Sequence, residues 1–168
     1  DVYIATAERF EHSAIFVFPQ SRADEEVLRA VDLLREKTGD RYFLMMHGDA
    51  TFSVPTGDKM VEFAARIAEE PEALKEEARR DVEAALARAR RTCRKGGLDG
   101  YALCADYCFN TGPFLSPTQF GEFVTPYLKE LIAGYRAMGL YTIKHTDGNI
   151  MPILDQLVEC RPHALHSL

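Results

Sequence analysis

The sequence predicts an α/β protein with parallel strands, and three observations support that prediction. Short apolar runs alternate along the chain with segments of helical periodicity. Strands that alternate with helices form parallel sheets through right-handed crossovers. Histidines and acids follow several of the apolar runs. Two architectures fit this pattern: a (β/α)8 TIM barrel, present here as a partial barrel of about five strands, and a flavodoxin-like open sheet.

The predicted strands are the apolar runs at residues 14–18, 42–46, 100–105, 140–144 and 164–168. A length of 168 residues suits one complete domain, which favours the flavodoxin-like sheet. The fifth run, however, reaches the last residue, and a domain seldom stops inside a buried strand. We therefore expect residues 1–168 to be the central part of one (β/α)8 domain whose flanking strands are missing from this chain.

Helices are predicted between the strands. One ends at Thr38-Gly39, and others cover about residues 58–69, 71–94 and 150–160. A further helix begins at Ser116-Pro117-Thr118-Gln119, where an N-cap serine, a proline at the first helical position and a glutamine form a capping box. We expect it to continue as one helix to Gly139, and we expect residues 110–113 to be a loop.

Composition and charge exclude several classes of function. The formal net charge of −6 argues against nucleic acid or an anionic membrane as the main partner. No apolar run approaches the roughly 20 residues of a membrane span, and the first residues lack the pattern of a signal peptide. The four cysteines have no disulfide-framework spacing, which predicts reduced thiols and a cytoplasmic protein. No glycine-rich phosphate loop follows a strand, which disfavours nucleotide binding.

Polar residues are predicted at the carboxyl ends of the strands, where parallel α/β folds bind their ligands. The set is His47 and Asp49 after the second strand, Asp106 and Tyr107 after the third, His145, Asp147 and Asn149 after the fourth, and His166 with Ser167 in the fifth. Three of these residues are the predicted catalytic groups: Asp106, His145 and Asp147. The predicted substrate-binding residues are His47, Asp49, Tyr107, Asn149 and His166.

His145 and Asp147 carry the most specific chemical signal. Residues i and i+2 of an extended strand point the same way, so both side chains can reach one ion. With one more ligand they could hold zinc and leave a coordination position open for substrate. Together with Asp106 they could instead position and protonate a substrate without metal.

Simpler structural interpretations exist for the same residues. His47 and Asn149 could cap the segments that follow them, and Asp106 could accept hydrogen bonds from the amides of its own turn. Lys144 could lie on the exterior of a barrel and extend its charge into solvent. The convergence of these residues therefore carries more weight than any one of them.

Several motifs between residues 97 and 168 resemble the uroporphyrinogen decarboxylase (URO-D) superfamily in order and spacing. They are Gly97-Leu98-Asp99-Gly100, Asp106, Gly112-Pro113-Phe114-Leu115-Ser116-Pro117, Phe120, Phe123, Pro126-Tyr127-Leu128 and His145-Thr146-Asp147-Gly148-Asn149. Residues 1–96 are similar more loosely, through the strand at 14–18 and the long helix before Gly96. The resemblance implies a (β/α)8 barrel.

The superfamily contains two main chemistries. Corrinoid-dependent methyltransferases use zinc to activate a thiol, whereas the decarboxylases remove acetate carboxyls from a tetrapyrrole without metal or cofactor. The decarboxylases have an aspartate where this chain has Phe18-Pro19-Gln20, so methyl transfer is favoured and decarboxylation is the alternative. The thiol-using methyltransferases have His-x-Cys where this chain has His145-Thr146-Asp147, which implies a divergent member with a harder ligand set.

The two chemistries imply different cofactors and partners. Methyl transfer implies zinc, and cobalamin on a partner corrinoid protein, because the sequence has no corrinoid-site motif. Decarboxylation in porphyrin biosynthesis implies no cofactor. A third interpretation is an inactive barrel fragment. Because a partial barrel has two open sheet edges, we also expect self-association or poor stability.

Overall fold

The computed structural model describes residues 2–18, 23–93 and 97–166, without the side chain of Cys93. The helices are α1 Val2–Arg9, α2 Asp24–Thr38, α3 Lys59–Glu69, α4 Pro71–Cys93, α5 Pro117–Phe123, α6 Thr125–Ala137 and α7 Leu154–Glu159, with a 3-10 turn at Met151–Ile153. The strands are β1 Ala14–Val17, β2 Phe43–His47, β3 Gly100–Cys104, β4 Cys108–Phe109, β5 Gly112–Pro113, β6 Tyr141–His145 and β7 Ala164–His166. The predictions that concern Pro19, Gln20, Gly96, Ser167 and Leu168 fall outside the described residues.

The order of the strands decides between the two predicted architectures. The main sheet has five parallel strands in the order β1-β2-β3-β6-β7, so each strand lies beside the preceding strand of that sheet. A flavodoxin-like sheet has the order 2-1-3-4-5, with a reversal near its start. In a (β/α)8 barrel, each new strand is added to the same side of the sheet as the strand before it. The prediction of a partial barrel is confirmed, and the flavodoxin-like alternative is wrong.

The two faces of this sheet have different surroundings. The outer face packs against the helices, and its residues Leu44, Met46 and Leu103 are fully buried. The alternate residues form the inner face, where the rings of Phe43 and Tyr141 meet with their centroids 5.8 Å apart. Tyr141 is nevertheless 53% exposed. In a closed barrel, side chains in these inner positions form the packed interior.

Helix α4 buries the face that its periodicity predicts. The buried residues on this face recur at intervals of three and four, as expected for one side of a helix. They are Leu74, Ala78, Val82, Leu86 and Ala89. The predicted capping box is also present, since Ser116 accepts a hydrogen bond from the backbone of Gln119 and the Gln119 side chain accepts one from the backbone of Ser116. Local sequence signals therefore fix the start of α5 and the orientation of α4.

Three local features differ from the predictions. The segment predicted as a loop belongs to a hairpin, in which β4 and β5 pair antiparallel. The helix predicted from Ser116 to Gly139 is divided into α5 and α6, because Val124 is not helical and Pro126 has no amide hydrogen to continue the ladder. Helix α1 was not predicted from any pattern. None of these changes moves a strand of the main sheet.

Two further findings concern the described part of the chain. None of its helices has the length and apolar character needed to cross a membrane. The described thiols of Cys104, Cys108 and Cys160 are free. Burial raises the pKa of Cys160 to about 11, so this thiol is protonated and unreactive near neutral pH.

Candidate active site at the carboxyl ends of the strands

Three adjacent strands bring their last residues into one row on the inner face. Cys104 of β3 pairs with His145 of β6, and His145 pairs with His166 of β7. Asp106 and Asp147 lie two residues beyond Cys104 and His145, and therefore continue the same face past the strand ends. These side chains lie together because the last residues of the three parallel strands pair with one another in register.

Asp106, His145 and Asp147 form a compact group. Nε2 of His145 lies 3.7 Å from Oδ1 of Asp106 and 3.8 Å from Oδ1 of Asp147. The backbone N–H of Asp147 donates a hydrogen bond of 3.1 Å to Oδ1 of Asp106. The side chains of Asp106 and Asp147 are 54% and 67% exposed. The three predicted catalytic residues therefore do come together, at a surface that solvent reaches.

His166 joins this group through His145. The two Nδ1 atoms are 2.9 Å apart and the ring centroids 5.1 Å apart. One Nδ1 must carry a hydrogen and donate it to the other. This contact orients the His145 ring and directs its Nε2 towards the two carboxylates, in the way that outer-shell partners orient metal-binding histidines. We call Asp106, His145, Asp147 and His166 the open cluster.

The open cluster has the donor spacing of a site for a divalent cation. One ligand atom from each of Asp106, His145 and Asp147 lies within 4.8 Å of the others. Tetrahedral zinc, bound at roughly 2.0–2.2 Å, separates its ligand atoms by about 3.4 Å. The two separations from His145 are 3.7 and 3.8 Å, and side-chain rotations that bring all three ligand atoms in from within 4.8 Å would reach that value. Three protein ligands with one open position are typical of catalytic zinc sites, so the residues present fit zinc.

The turn after β6 is held by the β4–β5 hairpin. Gly148 has a φ of +87°, and a Cβ atom there would lie 2.6 Å from the carbonyl oxygen of Phe109. The backbone N–H of Asn149 donates to that same oxygen at 2.9 Å. The side chain of Asn149 accepts a hydrogen bond from the N–H of Met151 at 3.2 Å. Asn149 therefore closes an Asx turn just before the 3-10 turn, and its role in substrate binding stays a prediction.

His47 lies apart from the open cluster. His47 pairs with Ala102 of β3, whereas His145 pairs with Cys104, two residues further along that strand. His47 is therefore displaced from His145 by about 7 Å in the direction of the strands. It is exposed and lines a cavity of about 140 Å³ with Arg88 and Tyr135. Its substrate-binding role also stays a prediction.

Asp49 and Tyr107 lie in a different place, on the outer face beneath the open cluster. The side chain of Asp49 is 1% exposed, and Tyr107 is 3% exposed. Asp49 forms an ion pair of 2.8 Å with Lys144 and accepts two hydrogen bonds from Thr51. The hydroxyls of Thr51 and Tyr107 are 2.6 Å apart. We call Asp49, Thr51, Tyr107 and Lys144 the buried cluster. Both side chains are almost inaccessible to solvent, and their substrate-binding role stays a prediction.

The interpretation of Lys144 as a solvent-reaching exterior residue is wrong. Its side chain is 0% exposed, because helices and the turn after β2 cover this part of the outer face. Burial lowers the pKa of Lys144 from its ordinary value, although the Asp49 carboxylate opposes that shift. Burial also raises the pKa of Tyr107 well above its usual range, so Tyr107 remains a neutral phenol.

Sequence reasoning placed Lys144 on the exterior of the barrel but missed its burial, and it missed the inner-face position of Cys104; alternation along the strands could have indicated both. Lys144 has the same parity as Thr142 and the opposite parity to His145, so it belongs to the helix-covered face, where a charge needs a partner. Cys104 shares the parity of Asp106 and is exposed on the inner face. Burial of part of its surface raises the pKa of the Cys104 thiol.

The parallel strands, their order and the polar residues at their carboxyl ends define the chain as part of a (β/α)8 barrel. The family model described as uroporphyrinogen decarboxylase (URO-D) matches residues 3–167. The chain therefore belongs to the URO-D family, and the superfamily resemblance seen in the motifs is confirmed.

The other comparisons are more distant. No curated protein matches the chain. Among solved structures, the chain is similar to a muconate cycloisomerase from Azorhizobium caulinodans, with 13% sequence identity and a TM-score of 0.31 over 98% of this chain and 51% of that protein. The chain thus spans about half the length of that structure.

Proposed function

We propose that the chain carries the metal site of a URO-D family methyltransferase, in which Asp106, His145 and Asp147 bind zinc. The observation that carries this proposal is the approach of their three ligand atoms to within 4.8 Å of one another. They lie at the carboxyl ends of parallel strands, which is where barrel enzymes keep their catalytic residues. The donor set of one imidazole and two carboxylates is one that zinc accepts.

Each residue of the open cluster has a separate role in this proposal. His145 supplies Nε2, and His166 holds the His145 ring in place through the contact of 2.9 Å. Asp106 and Asp147 supply one oxygen each, and the Asp147 amide fixes the direction of the Asp106 carboxylate. Bound zinc would supply Lewis acidity to the methyl donor or acceptor that binds there. Because the carboxylates are more than half exposed, a substrate can reach the fourth position.

Methyl transfer to or from a corrinoid on a partner protein is the reaction we assign to this site. It rests on the family and on the metal-compatible donor set, since members of the superfamily combine zinc with this chemistry. Where the thiol-using members have His-x-Cys, this chain has His145-Thr146-Asp147, so a hard carboxylate oxygen stands in the place of a soft thiolate ligand. This donor set suits a methyl acceptor or donor other than those of the thiol-using members.

Metal-free decarboxylation is the second candidate. It is favoured by the short distance of 3.7 Å between Oδ1 of Asp106 and Nε2 of His145. Both side chains are accessible to solvent. His145 also contacts His166, so a proton can pass along the pair to a substrate bound over Asp106. In this alternative Asp106 positions the substrate and His145 is the proton donor.

Metal binding separates the two candidates. Purified protein is titrated with Zn²⁺ in a calorimeter, and its zinc content is measured after dialysis. We expect close to one zinc per chain, and at least tenfold weaker binding in His145→Ala and in Asp147→Asn. His12→Ala is the matched control, because His12 is an exposed histidine near β1 and should not change the affinity. An unmodified protein that binds no zinc contradicts the zinc proposal and favours the metal-free alternative.

A further inference from the structure

Lys144 occupies an unusual position for a charged side chain. Its Nζ donates to Oδ2 of Asp49 at 2.8 Å and lies 4.1 Å from the centre of the Tyr107 ring. It also donates to the carbonyl oxygens of Ala105 at 2.9 Å, Leu103 at 3.1 Å and His145 at 2.9 Å. All four of these oxygens are acceptors, and a protonated ammonium shares its three N–H donors among them.

The partners of this ammonium come from three separate segments. Asp49 lies in the turn after β2, and Ala105 follows β3 directly. His145 is the last residue of β6. A single ammonium therefore links the carboxyl ends of three strands from beneath, on the face opposite to the open cluster.

Two of the linked peptide groups adjoin residues of the open cluster. The carbonyl of Ala105 belongs to the peptide bond that precedes Asp106, and the carbonyl of His145 belongs to a ligand residue itself. A second link runs in parallel, because the backbone N–H of Tyr107 donates to Oγ1 of Thr146 at 2.9 Å. Thr146 lies between His145 and Asp147, so this hydrogen bond joins the segment after β3 to the segment that carries His145 and Asp147.

We propose that Lys144 is a positioning residue that sets the separation and orientation of Asp106, His145 and Asp147 for metal binding. This inference rests on the proposed zinc site. A buried ion pair adds little net stability compared with apolar residues of the same volume, so its contribution here is geometric. The outer face at Lys144 is otherwise lined by leucines such as Leu103, and an apolar residue would fill the space without linking the strands.

The test uses a double variant, Lys144→Met with Asp49→Asn, which removes both charges and leaves no unpaired ion in the interior. The matched control is Lys129→Met with Glu159→Gln, which removes an ion pair of the same 2.8 Å length from the exposed surface. We measure zinc affinity by calorimetry and amide hydrogen exchange by NMR. The informative amides are those of Tyr107 and Asp147, which hydrogen-bond to Thr146 and Asp106.

We expect the double variant to fold, to bind zinc at least tenfold more weakly, and to exchange these two amides at least tenfold faster. Exchange in α2, remote from the site, should be unchanged, which separates local loosening from a global loss of stability. The control should match the unmodified protein in both measurements. A folded double variant with unchanged zinc affinity overturns the inference and leaves the zinc site intact.

Failure of the proposed function is distinguishable from failure of this inference. If the unmodified protein binds no zinc, the inference is judged only by the amide exchange rates of Tyr107 and Asp147 in the double variant. Rates equal to those of the unmodified protein overturn the inference. If the double variant does not fold, Asp49→Asn decides, because it keeps the shape of the side chain and removes the carboxylate that holds the Lys144 ammonium in place. Asp49→Asn should exchange the same amides faster and bind zinc more weakly than the unmodified protein; equality in both overturns the inference.

Discussion

The open cluster and the buried cluster belong to the same strand ends but lie on opposite faces of the sheet. Lys144 and His145 are adjacent in sequence, yet the side chain of Lys144 is 0% exposed and that of His145 is 25% exposed. The buried cluster pairs its charges within itself. The open cluster holds two carboxylates beside a pair of imidazoles, and both carboxylates face solvent.

This difference shows that a polar residue at a strand end is not by itself evidence of a functional site. Alternation sends one residue to the helix-covered face, where burial requires a partner, and the next to the inner face, where a ligand can reach it. Asp49 and Asp106 also show that alternation applies only within the strand: Asp49 shares the parity of Met45 and His47, yet the segment after β2 carries it to the buried side, whereas the Asp106 carboxylate is 54% exposed.

The largest effect is expected from breaking the buried pair at one partner. Lys144→Met leaves the Asp49 charge in the interior, so the free energy of unfolding should fall by roughly 3–5 kcal/mol. Urea denaturation followed by circular dichroism measures this change. Lys129→Met, which breaks an exposed pair, should leave the denaturation midpoint almost unchanged. A similar midpoint for both variants would contradict the contrast between buried and exposed pairs.

An intermediate effect is expected at the turn that supports the open cluster. Gly148→Ala places a side chain at a φ of +87° and against the carbonyl oxygen of Phe109, so we expect a loss of about 1–3 kcal/mol. Zinc affinity should fall as well, because Asp147 precedes this turn. Gly57→Ala is the control, since Gly57 also has a positive φ but has open space around it. Equal zinc affinity in Gly148→Ala and Gly57→Ala would argue against the support role of the hairpin.

A smaller effect is expected at Asp24, an ion-pair residue that solvent reaches. Hydrogen bonds from Arg91 and Arg88 hold the pKa of Asp24 below its usual value. The pKa of Asp24 is lower in the folded state than in the unfolded state, so at pH values between the two the unfolded state binds more protons. The ion pairs of Asp24 with Arg88 and Arg91 therefore stabilise the fold above the ordinary pKa near 3.8. This contribution disappears as pH falls through the folded pKa. Asp24→Asn should therefore flatten the acid limb of the stability profile, measured by urea unfolding between pH 7 and pH 3.

The smallest effect on stability is expected within the open cluster itself. Asp147→Asn removes one of two neighbouring negative charges at an exposed position, so the free energy of unfolding should stay within about 0.5 kcal/mol. The same variant is expected to lose zinc affinity, as proposed above. A large loss of stability in Asp147→Asn would mean that the open cluster is a structural network like the buried one.

Sequence reasoning reached the parallel α/β class, the five strands of the main sheet and the three residues that meet in the open cluster. It succeeded for His145 and Asp147 because the two-residue repeat of a strand fixes which side chains share a face. It failed for Asp49 and Lys144 as a pair, because they lie 95 positions apart in the chain. It also failed for the break at Val124, where a helical apolar pattern continued past a proline.

The sequence by itself determined the five strands of the main sheet, the capping of α5, the buried face of α4 and membership of the URO-D family, because these depend on residues close together in the chain or on motifs. Only the tertiary structure decided the strand order, and with it the choice of a barrel over a flavodoxin-like sheet. It alone also divided the polar residues between an open and a buried cluster. The strand order depends on which strands pair, and the burial of each polar residue depends on which segments cover it. Both are long-range contacts, whereas alternation along a strand indicates only the face on which a side chain lies.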